Sequence, residues 1–401
     1  MPTSIPAPKV LILGGGFAGV AASKVLFSSS WVKTTLVDER DAQLYYPSLY
    51  ELAAEEVTKQ TVLIPYSEIF GSQLNFIKTT VDKIDKENHQ VYLQNGEIES
   101  YDFLVVALGA VNNDFGIPGV KEHAFMFRNC DETLAIRENI ITAFKMSKER
   151  NKEEVSIAIC GGGFSGIELA AELRHHLERV AKDYGNPKVT INIIEAGSQI
   201  LPGMPQKVVS LTEQKLHDLK ITVLLSSPVA AVTGKSVKLK TGQEISSDVV
   251  IWTAGTRPNP IISNMGLALD EKGRPVVNES LQSINYPEVF VIGDLSGYLN
   301  PKTGRPIPPQ AYNAIAMGKL TGANILRLVT GLDLKEFEPE ASDFIIPVGH
   351  DNAVALFGKN VVHGWYPALL RTFIEFRYLV SILGIFRALP AFFSEVKVLA
   401  E

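Results

Sequence analysis

Three kinds of residue in this chain are spaced for chemistry: glycines grouped to receive a phosphate, acids set just after apolar strands, and a glutamate at a helix start. Gly14, Gly16 and Gly19 form a G-x-G-x-x-G turn between the apolar run Val10 to Leu13 and the Ala-rich run Val20 to Leu26. Gly14 permits a tight turn, Gly16 lets backbone approach a pyrophosphate, and Gly19 lets the following helix pack close to the strand. The pyrophosphate would rest on the free N–H groups at the positive end of that helix. A second strand, Lys33 to Asp38, ends in an acid about 20 residues on, where a ribose hydroxyl needs an acceptor.

The pattern then repeats. Val155 to Cys160 reads as a strand, Gly161, Gly163 and Gly166 as the turn, Ile167 to Lys182 as a helix, and Lys188 to Glu195 as a strand ending in an acid. One such loop is weak evidence; strand, glycines, helix and acid arising twice imply a duplicated dinucleotide-binding element. Glu168 lies two residues past the last loop glycine, in the first turn of the helix. The helix dipole alone is a sufficient structural reason for an acid there. Tyr101 to Gly109 is a buried-type apolar run closed by glycine, and Asp248 to Ile251 leads into Thr253-Ala-Gly255. Val289 to Asp294 delivers a carboxylate at the carboxyl end of a strand, where ligands of open α/β sheets lie; its bland alternative is a turn aspartate.

The elements that must position these residues follow from length and pattern. At 401 residues the chain should hold two or three domains. A helical run is expected at Glu51 to Val57, alternating strands around Phe76–Ile84 and Gln90–Leu93 with Asn95-Gly96 as a turn, and a long helix from about Asp131 to Arg150. A net charge of −6 argues against nucleic acid as a partner. Cys130 and Cys160 fit a reducing compartment and have no zinc-ligand spacing, and the seven histidines form no H-E-x-x-H, so no metal site is expected. Met1 to Lys9 lacks a basic region followed by an apolar one, so no signal peptide is expected.

Taken together, Gly161 to Glu168, Ile194 to Gly203, Tyr101 to Gly109 and Val291 to Asp294 resemble the two-dinucleotide-binding-domain flavoproteins, and within them the type II NADH dehydrogenases (NADH:quinone oxidoreductases). The resemblance covers nearly the whole chain. It implies an α/β fold of two Rossmann-like domains, one for FAD and one for NADH, plus a C-terminal helical membrane-associating segment. The implied boundaries are 1–118 and 256–330 for a split FAD domain, 119–255 for the NADH domain and 331–401 for the C-terminal region. FAD would be held by Gly14, Gly16, Phe17, Ala18, Gly19, Asp38, Glu39, Pro47, Val81, Ala107, Gly109, Asp294 and Ala311. NADH would be held by Gly161, Gly163, Phe164, Ser165, Gly166, Glu195 and Gly255. Glu195 would accept from a ribose 2′-OH and repel a 2′-phosphate, and Ala196 to Gln199 contain no arginine to neutralise one, so NADH is expected over NADPH.

In the resembling family, a glutamate at the position of Glu168 lies beside nicotinamide and flavin and affects hydride or proton handling. The family's Ala-Gln-x-Ala-x-Gln motif on the quinone side aligns here with Pro309 to Ala314. Its first Gln survives as Gln310, Tyr312 replaces the second Ala, and Ala314 replaces the second Gln. Gln310 is a catalytic candidate with Glu168, and Tyr46 and Tyr312 would border a quinone pocket. Trp365 to Phe393 is apolar but interrupted by Arg371, Glu375, Arg377 and Arg387, and its longest uncharged run is nine residues, Tyr378 to Phe386, far below the ~20 needed to span a bilayer. It reads either as a helix in the membrane interface or as one buried against protein or a homodimer partner; the family uses this region as a monotopic anchor. The implied function is NADH:quinone oxidoreduction without proton pumping, peripherally on the cytoplasmic face of the cell membrane. Competing readings are a sulfide:quinone oxidoreductase, disfavoured because residues 161 to 401 hold no cysteine, a soluble NADH-dependent flavoprotein reductase, and an NADH-sensing flavoprotein without turnover.

Overall fold

The structure is a computed structural model that describes residues 6–339 and 343–390. The chain forms two compact units: Met1–Gln43, Ile64–Val111 and Thr256–Glu340 in the first, and Leu44–Leu63, Asn112–Gly255 and Ala341–Glu401 in the second. These limits differ from the expected ones in four places. The second unit starts at Asn112 rather than 119, it takes in Leu44–Leu63 from the expected FAD domain, it includes Ala341–Glu401, and residues 331–340 fall in the first unit.

The first unit is built on a five-stranded sheet in the order Val289–Val291, Phe103–Val106, Lys9–Leu13, Lys33–Asp38, Phe76–Lys78. All four pairings are parallel. Val10 to Leu13 are 0–1 % exposed, as a strand covered on both faces requires, which is why they read as an unbroken apolar run. Helix Phe17–Phe27 packs against helix Ala311–Val329 so closely that a Cβ on Gly318 would strike the Ala18 carbonyl and one on Gly322 would meet Val25. Asn95-Gly96 turns the chain between Gln90–Leu93 and Ile98–Ser100 as expected, with Gly96 at φ +89°. The single strand expected over Phe76–Ile84 is two: Phe76–Lys78 joins the parallel sheet, and after a break Val81–Asp85 joins an antiparallel one.

The second unit repeats the design with Phe125–Met126, Val249–Trp252, Glu154–Cys160, Lys188–Ile194 and Thr222–Leu224, again parallel throughout. Its long helix, Cys130–Glu149, begins with a capping box: Asn129 accepts from the Glu132 N–H, and Glu132 accepts from the Asn129 N–H. The helix expected over Glu51–Val57 is instead Leu49–Ala53, ended by Glu55 in the left-handed region at φ +62°.

The C-terminal helix Trp365–Leu383 follows a three-stranded antiparallel sheet, Phe344–Pro347, Ala353–Phe357 and Asn360–Gly364. Thr372 and Glu375 are buried with Leu379 and Ile382, while Trp365, Tyr366, Leu369, Phe373 and Ile374 are exposed. Phe386, just beyond, is 88 % exposed. Residues 391–393 of the expected anchor lie outside the described residues. Among the described residues, no helix is long and apolar enough to cross a membrane.

Candidate active site: two nucleotide cradles and a carboxyl cluster

The two glycine loops are built alike, bond for bond. In the first, the Gly14 N–H donates to the Val37 carbonyl (2.8 Å) and the Ala107 N–H to the Leu13 carbonyl (2.8 Å). In the second, Gly161 donates to Ile194 (2.9 Å) and Thr253 to Cys160 (2.9 Å). Gly14 at φ +96° and Gly161 at φ +126° need the absence of a Cβ for conformation as well as space: a Cβ on Gly14 would sit 2.5 Å from the Ala107 oxygen. A Cβ on Gly19 or Gly166 would strike the carbonyl of Gly14 or Gly161, so these glycines set the helix-to-strand approach. By contrast, the Cβ positions of Gly16 and Gly163 face open space. Those two glycines are the helix N-caps, and neither helix has a side-chain cap. A helix start without a side-chain cap and beside open space is what a pyrophosphate needs. Both cradles fit a dinucleotide.

The acids after the second strands do a job that motif reading missed. Asp38 accepts from the Gly15 N–H (2.6 Å) and the Arg40 N–H (2.8 Å), and Glu195 accepts from the Gly162 N–H (2.7 Å) and the Gly197 N–H (2.6 Å). Each carboxylate thus clamps its own glycine loop, and its remaining lone pairs can accept from a ribose. Glu39 is exposed and pairs with Arg40 at 3.6 Å. Behind the first loop, buried Tyr66 donates to the Gly15 carbonyl (2.9 Å), a support that nothing in the motif signals.

Around the first cradle, Ala107 is buried, and Gly109 turns at φ +62° with open space beside it. Asp294 sits in the short turn Gly293–Leu295, at the carboxyl end of Val289–Val291. Gln310 caps helix Ala311–Val329 by position, and its buried Oε1 has no hydrogen-bond partner among the described residues. Val81 opens a strand paired with Gln90–Leu93. Tyr46 and Pro47, expected near flavin or quinone, belong to the second unit. The Tyr46 hydroxyl lies 3.4 Å from both the Phe127 carbonyl and Ser165 Oγ, beside the second glycine loop, and Arg128 lies over its ring. Phe164 of that loop meets Phe344 edge-on, and Gly255 turns at φ +70° against Phe115.

The second unit also holds a cluster of acids that sequence spacing did not bring together. Burial pushes the Glu168 carboxyl up to about 8, and the charge of Glu375 adds to the rise. Burial likewise raises Glu375, against the pull of Arg371 at 3.5 Å. Arg371 also binds Glu51. One helical turn beyond Glu168, Glu172 is pushed up to about 7 by burial, and it lies 3.7 Å from His350 Nδ1. His350 is 3.2 Å from Glu56 and is raised to about 10 by its bonds to Glu172 and Glu56. Although burial would raise Glu56, its bonds with His350 and Glu172 hold it below its usual range. The cysteines are poor nucleophiles: both are buried, and burial pushes the Cys160 thiol up to about 12.

Residues 8–318 match the family model for pyridine nucleotide-disulphide oxidoreductases. A type II NADH:quinone oxidoreductase of Staphylococcus aureus is 30 % identical over 390 residues, covering 94 % of this chain and 96 % of the relative. Among solved structures, NDH2 from Plasmodium falciparum in complex with NADH superposes with a TM-score of 0.86 at 19 % identity, covering 96 % of this chain and 98 % of the other. The sulfide:quinone oxidoreductase of Aquifex aeolicus gives 0.79 at 18 % identity, with 94 % and 92 % covered.

Proposed function

This chain belongs to the type II NADH:quinone oxidoreductases of the pyridine nucleotide-disulphide oxidoreductase family, and on that footing we propose how its own residues carry the reaction. It is an NADH dehydrogenase that reduces quinone and uses FAD and NADH. A bound flavin supplies the chemistry that amino acids lack, accepting two electrons from the nicotinamide and passing them on to quinone. The first cradle holds FAD: Gly14, Gly16, Phe17, Ala18 and Gly19 take the pyrophosphate, Asp38 and Glu39 the adenosine ribose, and Val81 the adenine. Ala107, Gly109, Asp294 and Ala311 complete the contacts. The second cradle, Gly161, Gly163, Phe164, Ser165, Gly166, Glu195 and Gly255, holds NADH.

Glu168 is the residue that manages the proton. A carboxyl that keeps its proton to about pH 8 is a donor at neutral pH, which is what a quinone oxygen needs as it gains electrons. Gln310 and Tyr312 serve the acceptor side, and the exposed aromatic face of Trp365–Leu383 rests on the membrane's cytoplasmic surface. The observation that carries this reading is the pair of equivalent cradles, each open at its helix N-cap. Purified protein should be yellow, and NADH should bleach it. Replacing Glu195 by Arg should narrow the preference for NADH over NADPH by roughly tenfold or more, since Glu195 would repel a 2′-phosphate; unchanged selectivity in steady-state assays would remove the assignment.

A further inference from the structure

Glu56, Glu172 and His350 form a donor set that no spacing in the sequence announces: each offers one ligand atom, and these atoms lie within 4.8 Å of one another. They come from the turn after Leu49–Ala53, from helix Phe164–Asp183 and from the turn between Phe344–Pro347 and Ala353–Phe357, all in the second unit. His350 Nδ1 stands 3.2 Å from a Glu56 oxygen and 3.7 Å from a Glu172 oxygen. Donors held at ~2.0–2.1 Å by a tetrahedral ion stand ~3.3 Å from one another, a value these two spacings bracket. Only the shorter spacing is within hydrogen-bond reach, so one Nδ1–H cannot serve both acids. Glu172 is 2 % exposed, and its Oε1 has no hydrogen-bond partner among the described residues. All three side chains line a cavity of about 130 Å³, enough for several waters. Asn352 lines it too, and its buried Oδ1 likewise has no hydrogen-bond partner among the described residues. Both unserved atoms are acceptors, and a buried acceptor costs free energy unless an occupant of the cavity serves it. Arg371, on the same cavity wall, already pairs with Glu51 and Glu375.

We propose that Glu56, Glu172 and His350 bind one divalent transition-metal cation, zinc by preference, and that cavity water completes its shell. The imidazole sets the class of metal: calcium and magnesium take oxygen shells, whereas imidazole with carboxylates suits zinc. Charge points the same way. Two carboxylates beside one imidazolium leave a net negative charge, and a dication beside a neutral imidazole cancels it. On binding, the ion takes the place of the Nδ1 proton, which leaves to solvent; no electrons move and no bond of the chain's backbone changes. His175 stacks on the His350 ring at 5.9 Å and 12°, which holds the plane in which Nδ1 points. A metal-bound water is a good donor for an unserved acceptor such as Asn352 Oδ1. The ion ties the turns at Glu56 and His350 to helix Phe164–Asp183, so its work is to brace the second unit. The inference does not rest on the roles given to the two cradles.

The test titrates zinc chloride into tag-free, chelator-treated holoenzyme and follows binding by calorimetry and by metal analysis after desalting. Wild type should bind one zinc per chain and melt a few degrees higher with zinc in excess. E56Q, E172Q and H350N should each weaken that binding by roughly tenfold or more, while H217N, which alters a histidine whose side chain is 87 % exposed, should leave it unchanged. X-ray absorption at the zinc edge should show nitrogen and oxygen neighbours at ~2.0–2.1 Å and no sulfur. Magnesium chloride in place of zinc should raise neither the heat signal nor the melting temperature. Wild type that binds no zinc, sulfur among the neighbours, or full zinc affinity in those of the three ligand variants that fold would overturn the site. Because wild-type stoichiometry and the absorption spectrum need no variant, the outcome stands even if a substitution prevents folding.

Discussion

At the scale of single residues, environment rather than identity sets what each acid does. Asp38 and Glu195 are held ready by two backbone N–H groups each, whereas Glu375 is buried with no hydrogen-bond partner for either oxygen among the described residues. Glu168→Gln should therefore keep its flavin but lose most of its quinone turnover, by roughly 10²-fold or more if it is a general acid; full activity in steady-state assays would contradict that role. The raised carboxyls also bear on stability. The folded chain holds protons on Glu168 and Glu375 to higher pH than the unfolded chain, where glutamate titrates near ~4.3. Each contribution is fully present below that value and is lost as pH rises through the raised folded-state value, about 8 for Glu168. Glu375→Gln should accordingly melt a few degrees above wild type at alkaline pH, by roughly 2–4 °C for each kcal/mol relieved, with the difference shrinking toward acid. A melting-temperature difference that is flat with pH would contradict it.

At the scale of elements, the glycine loops were legible from sequence because their constraints are local. Turn, close approach and helix start fall within six residues: Gly14 takes the turn at φ +96°, Gly19 sets the close approach to the Gly14 carbonyl, and Gly16 caps the helix beside open space. Substitutions should separate these tasks. Gly19→Val, whose Cβ would strike the Gly14 carbonyl, should fail to fold stably, while Gly16→Val should fold and lose flavin, since its Cβ meets nothing. Melting curves and the flavin absorbance of the purified variants distinguish the two. The acid cluster was not legible in the same way. Glu51, Glu56, Glu172, His350 and Glu375 come from four separate stretches of chain, and neither period nor motif relates them. The break after Ala53 was missed because the left-handed turn falls on Glu55, a residue with no turn signal of its own.

At the scale of the whole molecule, one architecture used twice gives the chain its two nucleotide cradles, and the C-terminal helix gives it an apolar outer face. Sequence left that helix apolar nearly all round; the fold decides its orientation by burying Glu375 and Thr372 and turning Trp365 and Phe373 outward. Replacing Trp365, Phe373 and Phe386 together by serine should release the protein from anionic lipid vesicles in sedimentation assays without changing its melting temperature, and undiminished binding would refute an interfacial helix. The central claim, that the two cradles hold FAD and NADH for electron transfer to quinone, is tested most directly by rapid mixing without oxygen. The yellow absorbance should bleach on adding NADH and return on adding a short-chain quinone. Protein that is colourless and takes up no flavin, or whose bleached flavin recovers with a small redox protein but with no quinone, would contradict it.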